Sequence, residues 1–250
     1  FTVPSFPEKH LGKPAGSHQR PFSVPVGLGL RRTAAPEEDT ISAPTPASWA
    51  YADNFLVEDE VVARARTRAA ELGCVPVSPG AGAALRVLVA AAAARSVVEI
   101  GTGAGVSGLY LLRGMPADGV LTTIDVEVEN QRAAREAFAE DQVKPNRTRL
   151  ISGRALDVLP RLTDSAYDFV LVDADKLEYA AYLEAAARVL RPGGMLAIDN
   201  SLWHNKVADP AQRDEHTTAV RDALRAIRDD TRLTSALLPV GDGLLVAVKS

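Results

Sequence analysis

Ser96-Val97-Val98-Glu99-Ile100-Gly101-Thr102-Gly103-Ala104-Gly105-Val106-Ser107 is the stretch that decides the fold. Its first five residues form a short, mostly β-branched run that suits a strand buried on both faces of a parallel sheet. The glycines that follow let the backbone turn tightly and approach a ligand, and the next residues open a helix whose first N–H groups are unpaired. Outward from this unit, helical and strand patterns alternate. Residues 53–73 carry an apolar stripe at Leu56, Val57, Val61, Ala65, Ala69 and Leu72, with Gly73 as a stop. Further helical signals cover 82–94, 106–113, 129–140, 155–162, 177–190 and 211–228. Strand candidates lie at 120–124, 148–151, 167–172 and 195–198, with a last pair at 232–238 and 244–249 flanking the hairpin turn Val240-Gly241-Asp242-Gly243. This alternation predicts an α/β fold: a doubly wound, mostly parallel sheet with a C-terminal antiparallel hairpin and helices on both faces.

Composition narrows the class. Of 250 residues, 46% are hydrophobic and 24% charged, which excludes wholesale disorder and collagen-like structure. The net charge of -4, from 28 basic and 32 acidic residues, argues against a chain built to coat nucleic acid. A single cysteine, Cys74, excludes an intramolecular disulfide and a Cys-based zinc cluster, and it reads as a small buried hydrophobe. It fits a reducing compartment, and a cytoplasmic location is expected. No apolar run reaches the roughly 18 to 20 residues of a membrane span. Residues 1–47 hold eight of the sixteen prolines, so a flexible Pro-rich extension is expected ahead of a domain over 48–250, with an arm over a partner subunit as the alternative.

The glycine-rich turn suits a nucleotide-type cofactor, and two kinds compete. A dinucleotide site needs G-x-G-x-x-G from the strand end, but counted from Gly101 the third position is Val106. Glu99 at the strand mouth is awkward beside a pyrophosphate and comfortable beside a cationic amino-acid ligand. Asp125, ending the next strand, lies where a ribose presents its two hydroxyls. S-adenosylmethionine has a ribose, a sulfonium and an α-amino group, and no phosphate.

From residue 50 to 249 the chain resembles the class I S-adenosylmethionine-dependent methyltransferases, with their Rossmann-like sheet. Within them it is most similar to the small bacterial members of the cation-dependent catechol and caffeoyl-coenzyme A O-methyltransferase group. The resemblance rests on Val98 to Ser107, on Leu156-Asp157-Val158-Leu159-Pro160, and on Tyr167-Asp168-Phe169-Val170-Leu171-Val172-Asp173-Ala174-Asp175-Lys176 with Tyr179 and Tyr182. Arg191-Pro192-Gly193-Gly194 and Asp199-Asn200-Ser201-Leu202-Trp203 complete it. It implies cofactor contacts at Val77, Glu99, Gly101, Thr102, Ser107, Asp125, Val126, Ala155 and Asp173. It further implies a divalent cation on Asp173, Asp199 and Asn200, Lys176 as general base, and a homodimer. Ala155 stands where some relatives have serine, so a contact there would run through backbone.

The residues make the same chemical sense unaided. Asp173 ends one expected strand and Asp199-Asn200 end another, so their carboxyl ends meet at one sheet edge. Two carboxylates and an amide suit a hard cation, Mg²⁺ first and Mn²⁺ or Ca²⁺ as alternatives. Such an ion stabilises a phenolate and can hold a neighbouring hydroxyl, which favours a small, catechol-like aromatic acceptor. Lys176 follows Asp173 by three residues and can reach the acceptor oxygen; a solvated surface lysine is the bland alternative. Asp173 and Asp199 could equally be ordinary strand-end acids, and Trp203 either lines the acceptor pocket or packs. His10, His18, His204 and His216 show no ligand spacing. Competing functions are a nicotinamide-dependent oxidoreductase, a noncatalytic binding protein on this fold and, more weakly, an RNA methyltransferase.

Overall fold

The structure, a computed structural model, describes residues 43–250. The expected extension over 1–47 therefore falls, up to residue 42, outside the described residues; Pro46 and Ala47 already belong to the first helix.

Seven strands form one sheet in the order β3-β2-β1-β4-β5-β7-β6. At its centre β1 (Ser96–Ile100) pairs in parallel with β2 (Val120–Asp125) and β4 (Tyr167–Val172). On one side β3 (Thr148–Ser152) joins β2; on the other β5 (Leu190–Ile198) joins β4, also in parallel. The antiparallel pair is β6 (Leu233–Leu238) and β7 (Leu244–Lys249), with β7 lying against β5. After β3 the chain crosses back to place β4 beside β1. That reversal opens a crevice at the carboxyl ends of the strands.

Alternating side chains of the buried strands feed two cores. Val97, Leu121 and Phe169 pack with Leu85, Leu109 and Phe138 from α3 (Pro79–Ala91), α4 (Val106–Gly114) and α5 (Val128–Glu140). Val98, Ile124 and Val170 face Ala155, Tyr182 and Val220 from α6 (Ala155–Val158), α7 (Tyr179–Val189) and α8 (Glu215–Asp229). Helices thus cover both faces, as expected.

Four boundaries differ from the sequence pattern. The expected helix over 53–73 shortens to α2 (Glu60–Glu71), which starts where Asp59 accepts from the N–H groups of Val61 and Val62; a helix that the pattern did not give, α1 (Pro46–Asp53), ends where the expected one begins. Leu56 and Val57, read as part of the helical stripe, are exposed ahead of α2. The segment 155–162 is one α turn followed by a 3₁₀ turn at Leu159–Arg161, where Pro160 cannot supply an N–H. Strand β5 starts at Leu190 rather than 195, with a register irregularity opposite Tyr167. Helix α8 starts at Glu215 rather than 211, where Asp214 caps the N–H of Thr217 at 3.0 Å. No described helix is long and apolar enough to cross a membrane.

Candidate active site

The crevice holds a cavity of about 740 Å³ floored by the turn after β1. Gly101 has φ +96°, and a Cβ there would overlap the carbonyl oxygen of Asp173, so only glycine lets the end of β4 close against the turn. Asp125 is built into this turn. Its Oδ2 accepts from the N–H groups of Thr102 (3.0 Å) and Gly103 (2.9 Å), and its Oδ1 from that of Glu127 (2.9 Å). Asn130 adds a side-chain donor at 3.2 Å. This one carboxylate fastens the glycine-rich turn, a role the sequence did not disclose.

Beneath the floor lies Glu99, fully buried, accepting from the hydroxyls of Ser107 and Thr123 at 2.6 Å each. Burial pushes its carboxyl up from the ordinary 4.5 to about 7; the two hydroxyls oppose this, and the charges of Asp173 and Asp125 reinforce it. Of the expected cofactor contacts, Gly101, Thr102, Ser107, Asp125, Val126, Ala155 and Asp173 line the cavity. Val77 and Glu99 are buried and not among its lining residues; Ser107, which does line it, donates to Glu99. Cys74, half-buried in the cavity wall, packs against Ala69, Ala104 and Ala133 as a small hydrophobe does, and also donates its thiol to Asn130 Oδ1 at 3.3 Å.

Glu99 sets a pH dependence. A carboxyl whose folded pKa lies above its unfolded one makes the native state bind the proton more tightly. Its stabilisation is therefore complete below about 4.5 and is lost as pH rises to about 7. The ligand-free protein should lose up to about 1.4 kcal/mol per pH unit across that window on this account. Urea unfolding of Glu99→Gln should show that slope reduced by one proton's worth. An unchanged slope would place the titration elsewhere.

At the carboxyl ends of β4 and β5, Lys176, Asp199 and Asn200 gather beside Asp173. Lys176, buried rather than solvated, lies in a 3₁₀ turn after β4 and donates to Asn200 Oδ1 at 2.8 Å and to Asp173 Oδ1 at 3.5 Å. Its Nζ stands 5.1 Å from the ring of Tyr179 and 5.6 Å from that of Trp203. Asn200 Nδ2 donates to Asp199 Oδ2 at 3.3 Å, while Asp199 Oδ1 is buried with no partner. Burial, then the charge of Asp173, raises the pKa of Asp199; burial likewise raises that of Asp173 against the pull of Lys176. Asn200 has φ +55°, and Trp203, His204 and Asn205 beyond it also have positive φ. That loop is tied to the final hairpin: Ser201 N–H donates to Gly243 O and Leu202 N–H to Asp242 O, both at 2.8 Å.

Among the described residues no three His, Cys, Asp or Glu side chains converge as metal ligands, so a cation site would rest on two carboxylates and an amide. The unpartnered, buried Asp199 Oδ1 fits such a site, since an uncompensated carboxylate oxygen is costly to bury. Sequence reading missed Arg154 and Glu178 and gave Tyr182, a residue of the resemblance, no site role; all three also line the cavity.

An O-methyltransferase family profile matches residues 49–250. A Mycobacterium tuberculosis protein named a probable O-methyltransferase is 49% identical over 201 residues, covering 80% of this chain and 90% of its own length. The O-methyltransferase TomG of Streptomyces achromogenes, solved with S-adenosylmethionine, is 31% identical, with a TM-score of 0.74 over 82% of this chain and 96% of that one. A Bacillus cereus O-methyltransferase solved with S-adenosylhomocysteine is 27% identical, with a TM-score of 0.73 over 80% and 96%. With this sheet, this crevice and these relatives, the chain belongs to the O-methyltransferase family of class I S-adenosylmethionine-dependent methyltransferases.

Proposed function

We propose that the chain is a divalent-cation-dependent O-methyltransferase that methylates one hydroxyl of a small, catechol-like aromatic acceptor. The observation that carries this reading is the buried Asp199 Oδ1, unpartnered beside Asp173, Asn200 and the buried Lys176. Asp173, Asp199 and Asn200 would hold the cation. When bound, such an ion lowers the pKa of a coordinated phenol and neutralises the paired carboxylates.

The remaining work belongs to the chain's own groups. Asp125 and the Thr102-Gly103 backbone it fastens orient the cofactor's ribose. Glu99, ionised once pH exceeds its raised pKa of about 7, adds negative potential beneath Ser107 that favours the cationic half of the cofactor. Lys176, once it has lost its own proton, accepts the acceptor's hydroxyl proton at Nζ. Tyr179 and Trp203 give Lys176 an aromatic wall, which also suits a flat acceptor. In this setting the methyl passes in one displacement from sulfonium to oxygen, with positioning supplying much of the acceleration. A homodimer is part of the same reading, supported by the exposed Tyr51, Phe55, Leu56 and Val57 on and after α1.

Treating the protein with EDTA should abolish turnover of catechol, and added Mg²⁺ should restore it. S-adenosylhomocysteine binding, measured alongside, should survive the chelator, because of the three proposed ligands only Asp173 also lines its cavity. Full turnover in metal-free protein would end the metal reading.

A further inference from the structure

Arg154, Glu178 and Tyr182 come from two separate connections and meet at the wall of the cofactor cavity. Arg154 precedes α6, the helix after β3; Glu178 and Tyr182 belong to the 3₁₀ turn and helix after β4. Arg154 Nη2 donates to Glu178 Oε1 at 2.6 Å, and Tyr182 Oη donates to Glu178 Oε2 at 2.5 Å. Both carboxylate oxygens are therefore engaged, and the guanidinium is held through Nη2 by a bond that lies in its plane. As a stabilising pair it should count for little, since the Arg154 side chain is 63% exposed. Its place in the cavity wall matters more.

The direction of the bound cofactor follows from the strand order. Asp125 ends β2, where the ribose hydroxyls belong. Methyl transfer must face Lys176 and Asp199, at the ends of β4 and β5. The sulfonium therefore points toward β4, and the nucleobase points the other way, toward the end of β3. Gly153, Arg154 and Ala155 lie there. Ala155 and Ala174 are too small to cover a purine plane, whereas a planar guanidinium stacks well on aromatic rings.

We infer that Arg154, held in place by Glu178 and Tyr182, is a cofactor-positioning residue that covers the adenine of S-adenosylmethionine. This rests on the family's cofactor and not on the metal or acceptor proposed above. The contact is to the nucleoside half of the ligand, and Glu178 acts only through Arg154.

Calorimetry with S-adenosylhomocysteine and with 5′-methylthioadenosine, which lacks the amino-acid half, tests this. Arg154→Met should raise the Kd of both by roughly three- to thirtyfold, the range of a partly desolvated cation–π contact. The KM for S-adenosylmethionine should rise alike, with kcat little changed. Arg154→Lys, which keeps the charge without the plane, should recover only part of the loss and serves equally if the Met variant folds poorly. Glu178→Gln should weaken binding less, and adding it to Arg154→Met should cost nothing more. A Kd within twofold of wild type for Arg154→Met, or full recovery in Arg154→Lys, would overturn the inference. So would a loss confined to S-adenosylhomocysteine, or additive losses in the double variant. Failure of wild-type protein to bind either ligand would instead count against the cofactor assignment itself.

Discussion

Lys176→Met should lower kcat by roughly 10² to 10⁴, the usual range for losing a general base. Methionine keeps most of the stem's bulk against Tyr179 and Trp203 while deleting the ammonium that now bridges Asn200 and Asp173. Cofactor binding should persist, because Asp125 and the glycine-rich turn lie apart from Nζ. Part of the rate should return at higher pH, where hydroxide from solvent can take the proton. A more acidic acceptor such as a nitrocatechol should suffer less than catechol, since its proton is already gone at working pH. The informative quantity is the ratio of wild-type to variant rates across acceptors of falling pKa. A flat ratio would mean that Lys176 serves as a fixed charge and not as the base.

Gly101→Ala should cost about 3 kcal/mol or more, out of the 5 to 15 that hold a typical domain folded. Its φ of +96° strains any residue with a Cβ, and the atom that Cβ would meet is backbone, the Asp173 carbonyl oxygen, which cannot swing aside. Gly103→Ala is the natural comparison. That glycine also has positive φ (+49°) but nothing within 4 Å of an added Cβ, so it should lose only about 1 kcal/mol. Urea denaturation of both variants would decide it. Equal losses would show that backbone strain alone, without the close approach of β4, makes Gly101 necessary.

Much of this site was legible because its chemistry sits at strand ends. The β1 segment, the glycines after it and the acids Asp125, Asp173 and Asp199 can be placed from periodicity alone, since each follows a β-branched or apolar run. What the sequence hid depends on side chains that cross between elements. Glu58 falls inside the span expected to be helical, yet it lies outside both helices and its carboxylate turns inward to meet Arg66 and Tyr110, each at 2.6 Å. Asp125 could be assigned a ligand, but its hold on the backbone of the adjacent turn is set by local dihedral angles. Arg154 and Glu178 lie 24 positions apart with no shared pattern, so only the folded crevice brings them together.

The position of β7 bears on how the molecule can be assembled. It is later in the chain than β6 yet lies inside it, so neither β5 nor β6 has its neighbour until residues 244–249 arrive. A growing chain that has emerged only through β5 carries a parallel sheet with an open edge at Leu196 to Ile198, a surface prone to pair with other strands. The same late segment brings Asp242 and Gly243 to the loop bearing Asn200 and Trp203. Synthesis of the cofactor cavity is therefore finished well before the loop beside Lys176 can be locked. The two halves of the active centre mature at different times, and the second waits for the final hairpin.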